Sequence, residues 1–172
     1  MSSGRVGIGF DAHPFAEGRP LRLGGVEIPH SRGLSGHSDG DALLHAVADA
    51  ILGASGAGSL GEHFPDGEKS LEGADSSLFL RRARELASAR GLSIGNIDAV
   101  VIAEEPRIAP HRERMRQRVA EILEVGETCV SVRGTSSNGL GFPGRGEGIA
   151  AIAVVLLVPQ IPNPKSEIRN PK

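Results

Sequence analysis

"DALLHAVADAILGA", residues 41–54, decides how this chain must fold. Leu43, Leu44, Val47, Ile51 and Leu52, joined by alanines, make a helix here apolar on almost every side, and such a helix is expected to be buried. Its polar exceptions, Asp41, His45 and Asp49, are spaced i, i+4, i+8 and line up along one face. An ionisable stripe on a buried helix is costly unless it meets a partner. Ser38 with Asp41 fits a capping pair at the helix start, so Asp41 has a structural explanation and His45 does not.

Upstream, "RVGIGF" (5–10) reads as a strand and runs into "GFDAHPF" (9–15), where Asp11 and His13 sit two apart and project from the same side of an extended strand end. An ordinary loop ended by Pro14 accounts for the same residues. If His45 faces this strand end, an Asp, His, His set results. Imidazole and carboxylate with one open position form the usual ligand set of catalytic zinc, whereas closed structural sites favour thiolates. A satisfied core histidine remains the alternative for His45.

Further elements follow outward. "LRLGGVEIP" reads as a hairpin turning at Gly24 and Gly25. A helix is expected over about 76–90, capped by Asp75 or Ser76 and ended by Gly91. "NIDAVVIAEEP" reads as a strand, a third helix spans about 110–124 with Met115, Val119, Ile122 and Leu123 apolar, and "CVSVRGTSS" and "IAAIAVVLLV" are the last strands. Strands alternating with helices indicate an α/β (α+β) sandwich around a mixed sheet. The final strand is apolar on both alternating faces and needs cover on both. Cys129 is expected as a core thiol, His30 and His63 as surface residues, and His111 at a helix start. Arg112, Arg114, Arg116 and Arg118 interleave with Glu113 and Glu121, the pattern of a solvated face. After Val158 the composition turns to prolines and charges, so residues 1–158 are expected to form one domain and 159–172 a disordered tail.

Composition excludes several classes of function. With 172 residues, 39% of them hydrophobic, the chain has the size of one domain with a sizeable core. A formal charge of −2 gives no general attraction to nucleic acid or anionic lipid, and five Phe without Trp or Tyr leave few platforms for stacking bases. One cysteine rules out an internal disulfide framework. The "MSSGR" start leaves no room for a targeting peptide, and the run Ile149 to Val158 is too short to span a bilayer, so a soluble cytoplasmic protein is expected. "GTSSNGLGFPGRGEG" (134–148) carries six glycines, whose backbone N–H groups could approach an anion gripped by Arg145. It is not a P-loop, and a glycine-rich turn between strands looks similar. A metal set beside a phosphate-friendly loop suggests phosphoryl chemistry.

"GFDAHPF", "GHSDGDALLHAVADAILGA", "GEHFPD", "GADS", "AEEPRIAPH" and "LGFPGRGEGIA" together, in order and with matching spacing from about Arg5 to Val158, resemble the 2-C-methyl-D-erythritol 2,4-cyclodiphosphate synthase family. The resemblance implies a homotrimer whose mixed sheets line a central channel with helices packed on the other face. It implies active sites between neighbouring subunits, each with one Zn²⁺. It also implies the reaction: the 2-phosphate of a cytidine diphosphate methylerythritol substrate attacks its own β-phosphate, closing a cyclic diphosphate and releasing CMP.

Carried over by position, the resemblance makes Asp11, His13 and His45 the zinc ligands. Asp49, one turn beyond His45, is expected from its spacing to orient that histidine. His37 and Ser38 match a mobile substrate loop, and Gly61, Phe64, Pro65 and Asp66 match the part that holds the methylerythritol phosphate. Ala103, Pro106, Arg107, Ile108 and Ala109 match the cytidine pocket, and Thr135 and Ser136 the diphosphate contacts. Phe142, Arg145 and Glu147 match the channel lining, where some relatives hold an isoprenoid diphosphate. Two positions depart: Ser59 stands for an aspartate that contacts ribose, and Asn138 for a glutamate that binds a second cation, Mg²⁺ or Mn²⁺, between the substrate phosphates. Two other readings stay open, a zinc-dependent phosphoesterase that activates water and a trimeric ligand-binding protein without turnover.

Overall fold

Every second residue of a strand faces the same layer, and in the first strand of this chain two of those positions are Gly7 and Gly9. The computed structural model describes residues 3–65 and 71–160. In chain order it contains β1 (Arg5–Ala16), β2 (Leu21–Leu23), β3 (Val26–Ile28), β4 (Gly33–Leu34), α1 (Ala42–Ser55), α2 (Leu60–His63) and α3 (Ser77–Ser88). Then come β5 (Leu92–Ile102), α4 (Arg112–Leu123), β6 (Val130–Thr135), α5 (Gly141–Gly144) and β7 (Gly148–Pro159). Five strands form one mixed sheet in the order β4-β1-β7-β5-β6, parallel only between β5 and β6, while β2 and β3 form a separate hairpin. This is the mixed α/β architecture expected from the alternation of elements.

The helix α1 lies on β1, β7 and β5 and packs sideways on α3. Its contact with β1 is backbone on backbone. A Cβ built on Gly9 would stand 2.0 Å from the Ala46 carbonyl oxygen, and one on Gly7 would stand 2.1 Å from that of Ala50. Alanines 46, 50 and 54 supply the matching small surface on the helix. The rest of α1 is buried except at His45, Asp49 and Gly53, so the polar stripe is the one edge of this helix not sealed by core.

The opposite face of the sheet carries no helix among the described residues. Val6, Ile8 and Phe10 of β1 are 69%, 69% and 58% exposed there. They pair across the ladder with Leu156, Val154 and Ile152 of β7. Farther along the same sheet the surface turns polar, where Arg133 of β6 bonds Asp98 of β5 at 2.7 and 3.1 Å.

Several details differ from expectation. The helix start is capped by Asp41 itself, whose carboxylate accepts from the backbone N–H of Leu44 at 3.0 Å, while the buried Ser38 hydroxyl points to His45 and Ser76. The same carboxylate also accepts from Gly24 at 2.8 Å and Gly25 at 2.6 Å, and those two glycines, both at positive φ, form the expected hairpin turn. Cys129 precedes β6 in a short turn and is only half-buried, because the strand begins one residue later. Arg116 pairs with Glu113 and Glu127, and Arg118 with Glu121, which makes α4 a solvated face as read. Pro159 closes β7 and Gln160 donates to Ser88 and to the Leu92 carbonyl, and the remainder of the expected tail, 161–172, lies outside the described residues.

The close approach of α1 to β1 is testable. Gly9→Ala forces the two backbones apart and is expected to cost about 3 kcal/mol or more, read as a lower urea midpoint. Gly126→Ala meets only Thr128 at 3.8 Å, and at its negative φ it is expected to change stability by about 0.5 kcal/mol or less.

Candidate metal centre and its cavity

Gly7, Gly9, Asp11 and His13 occupy alternate positions of β1, so the face that admits α1 through its glycines carries ionisable side chains further along. There it meets His45 in the first turns of α1. Three atoms converge: Asp11 Oδ2 lies 2.9 Å from His13 Nε2 and 3.1 Å from His45 Nδ1, and the two ring nitrogens are 3.1 Å apart. A tetrahedral ion bound at about 2.0–2.1 Å holds its donors about 3.3 Å apart, so this triangle of two imidazoles and a carboxylate fits one face of such a coordination shell. The fourth direction opens into a cavity.

Both imidazoles are held from behind. His13 also bonds the backbone of Ser35. His45 presents its other nitrogen, Nε2, to Ser76 Oγ at 2.8 Å and to Ser38 Oγ at 3.2 Å. Ser76 in turn bonds the Asp39 carboxylate through both its hydroxyl and its N–H. Burial works against charge on Asp11, but the His13 and His45 rings against the same oxygen, His13 foremost, outweigh it and hold this carboxyl far below the usual carboxylate range. For His13, burial opposes the proton, and the adjoining Asp11 carboxylate outweighs burial and raises the imidazole above its ordinary value.

The cavity over this triangle measures about 380 Å³. Besides the three ligand candidates it is lined by His37, Ser38, Asp49, Ser59, Gly61, Phe64 and Pro65, with Phe10, Leu60, Leu71 and Phe79 completing the wall. Phe79 leans on His45 with ring centres 5.6 Å apart and meets Phe64 edge-on at 4.5 Å. The substrate residues expected from sequence therefore come together here, apart from Asp66, which lies outside the described residues.

Asp49 lines the cavity but does not orient His45. Its carboxylate accepts from the backbone N–H of Leu60 at 2.9 Å and so anchors the start of α2, because a helix position one turn on from His45 points past the ring toward that segment. The residues behind His45 are Ser76 and Asp39, whose position in sequence gives no helical spacing to find them by. Ser59 opens α2, with its N–H and hydroxyl both donating to Glu62.

A second cavity of about 400 Å³ gathers Ala103, Arg107, Ile108, Ala109, Thr135 and Ser136, together with Glu104 and Gly134. Pro106 is not among its lining residues, although both neighbours in the expected pocket are. Glu104 accepts from the N–H and hydroxyl of Ser137 at 3.0 Å and from the N–H of Gly139 at 3.1 Å, which fixes the turn carrying Asn138. Asn138 stands at a positive φ of 54°, with its side-chain oxygen 3.4 Å from Ser136 Oγ. Arg145 and Glu147 form a bidentate pair at 2.7 and 2.9 Å beside Phe142 of α5, away from both cavity linings.

The model of the YgbB family matches residues 4–158. The chain is 54% identical over 154 residues to 2-C-methyl-D-erythritol 2,4-cyclodiphosphate synthase of Halalkalibacterium halodurans, covering 90% of this chain and 98% of the relative. It is 52% identical over 153 residues to the protein of that name from Bacillus cereus, covering 89% and 97%. Among solved structures it is similar to bifunctional IspDF from Campylobacter jejuni, with a TM-score of 0.87 and 40% identity, covering 90% of this chain and 42% of that one. It is also similar to the CDP complex of IspF from Plasmodium falciparum, with a TM-score of 0.81 and 35% identity over 94% and 99% of the two chains. A match running from residue 4 to residue 158, and identity above one half along nearly the whole of a relative, make this chain a member of the YgbB family.

Proposed function

We propose that this protein is a 2-C-methyl-D-erythritol 2,4-cyclodiphosphate synthase, a phosphorus-oxygen lyase of the non-mevalonate isoprenoid route. It converts 4-diphosphocytidyl-2-C-methyl-D-erythritol 2-phosphate to the cyclic diphosphate and CMP. The observation that carries this reading is the Asp11, His13, His45 triangle at the open wall of a cavity lined by His37, Phe64 and Pro65. The names of the relatives agree with it, as does the CDP in a similar structure.

In this reading the 2-phosphate oxygen bonds to the β-phosphorus while the bond to the bridging oxygen breaks and CMP leaves. The nucleophile belongs to the substrate, so the chain's task is to position two phosphates and offset their charge. Zinc held by Asp11, His13 and His45 would supply a Lewis acid for the β-phosphate. His37, Ser38, Gly61, Phe64, Pro65 and Asp66 enclose the methylerythritol phosphate. Ala103, Pro106, Arg107, Ile108 and Ala109 take the cytidine, and Thr135 and Ser136 the diphosphate. A second cation, Mg²⁺ or Mn²⁺, would meet the neutral Asn138 carbonyl on that turn, where one Glu104 oxygen, Oε1, takes the Ser137 and Gly139 donors; its charged ligands would come chiefly from the substrate phosphates.

The domain 1–158 acts in this reading as a homotrimer. Two features support it. The apolar rows Val6–Leu156, Ile8–Val154 and Phe10–Ile152 need cover that the described residues of one chain do not give. The two cavities share no lining residue, which suits a substrate whose halves are held by neighbouring subunits. Phe142, Arg145 and Glu147 would then line the channel between subunits. No helix among the described residues is long and apolar enough to cross a membrane, in keeping with a cytoplasmic enzyme.

Phosphorus NMR of the purified protein with the cytidine diphosphate substrate is expected to show a cyclic diphosphate and CMP in equal amounts. Acyclic hydrolysis products would indicate the phosphoesterase, and an unchanged substrate the non-catalytic homologue. Elemental analysis is expected to give about one zinc per chain, lost in His45→Ala while the fold is retained. Because Asp11 raises the His13 value, the ion must displace a proton that persists to higher pH than on an ordinary histidine. Apparent zinc affinity is therefore expected to fall about tenfold per pH unit, for each proton displaced, as pH drops through that value. Ile8→Asp on the bare face is expected to convert a trimer into a monomer by light scattering; a wild type that is already monomeric at micromolar concentration would overturn the shared-site arrangement.

A further inference from the structure

Hydrogen bonding behind His45 leaves little freedom. Ser76 is fully buried, and its hydroxyl has one proton to donate and two lone pairs. Three partners surround it: the Asp39 carboxylate, His45 Nε2 at 2.8 Å and Ser38 Oγ at 3.3 Å. A carboxylate can only accept, so the Ser76 proton goes to Asp39 and both lone pairs must receive. The closer of the remaining partners, His45 Nε2, must then carry a hydrogen. The other nitrogen, Nδ1, is left with its lone pair aimed at the triangle formed with Asp11 and His13. Were Asp39 absent, Ser76 could turn its proton to His45 Nε2, and Nδ1–H could donate to Asp11 Oδ2 at 3.1 Å. That tautomer offers a metal nothing.

We propose that Asp39 and Ser76 are positioning residues that hold His45 in its Nε2–H tautomer, keeping Nδ1 available to a metal ion. This rests on the metal-site reading above. The same two residues join separate parts of the chain. Asp39 N–H donates to the Ala74 carbonyl at 3.0 Å and Gly73 N–H to that of His37 at 2.8 Å, so the segment bearing His37 and Ser38 is laced to the turn bearing Ser76. Metal affinity and the seating of that segment therefore depend on one hydrogen-bond chain, His45 to Ser76 to Asp39.

The test is zinc affinity by chelator competition, with nitrogen-15 NMR of the histidines in metal-free protein, read at the alkaline end of a pH series where the ring signals no longer change. Wild type is expected to show His45 protonated on Nε2. Ser76→Ala and the near-isosteric Asp39→Asn are each expected to lower zinc affinity about 10- to 100-fold and to move the His45 proton to Nδ1. Ser76→Thr, which keeps the hydroxyl, is expected to retain the wild-type tautomer. Thermal unfolding of each variant separates this from a purely structural role, which would lower the melting temperature and leave the tautomer unmoved. Wild-type zinc binding that Ser76→Ala and Asp39→Asn both keep within about threefold would overturn the positioning role alone. A metal-free wild type that takes up no zinc would overturn the metal site and this proposal with it.

Discussion

The absence of two side chains governs this structure. With no Cβ at Gly7 and Gly9, the backbone of α1 settles onto β1 closely enough that a methyl group at either position would collide with a helix carbonyl. That contact sets the height of α1 above the sheet, and the height sets how far His45 reaches. A helix displaced by the usual side-chain layer would carry His45 away from Asp11 and His13, and three atoms within 3.1 Å of one another would become a loose cluster. The metal candidates and the glycines are thus one design along a single strand: small residues where the helix must touch, ligands where it must stop.

The electrostatics follow from that approach. Asp11 is half-buried, and its charge survives because two imidazoles lie against the same oxygen. By contrast, the arginines of α4 meet their glutamates at the surface, where solvent and salt screen such pairs and they add little. Charges that matter for chemistry lie where the sheet, α1 and the segment before it converge; those on α4 chiefly keep the surface wetted.

Much of this was legible in the sequence because it is periodic or local. The apolar wrap of residues 42–54 announces a buried helix, the Asp-x-His spacing announces two side chains on one strand face, and Gly24-Gly25 announces the hairpin turn. What stayed hidden depends on contacts between segments far apart in the chain. Asp49 sits at the right helical interval from His45, yet its carboxylate turns to Leu60. Ser76 reads only as a helix cap until the fold brings it 31 residues back to His45. Ser38 fits a capping pair by spacing, but Asp41 caps the helix unaided and frees that hydroxyl to face inward. Short-range pattern names which groups are polar; only the tertiary structure says which of them meet.

Asp41 also draws a boundary around motion. Its carboxylate, with no exposed surface, grips Gly24 and Gly25 at the hairpin tip and Leu44 at the head of α1. Burial pushes its carboxyl up, while those backbone N–H groups pull the other way. The 17-residue interval between Gly24 and Asp41 is thereby closed into a ring, much as a covalent cross-link would close it. His37 and Ser38 ride inside that ring. The anchor at Asp41 holds the first turn of α1 whatever the ring's interior does, but Ser38 and Asp39 lie inside the ring and reach His45 directly and through Ser76, so the loop and the ligand beneath it are read as one unit.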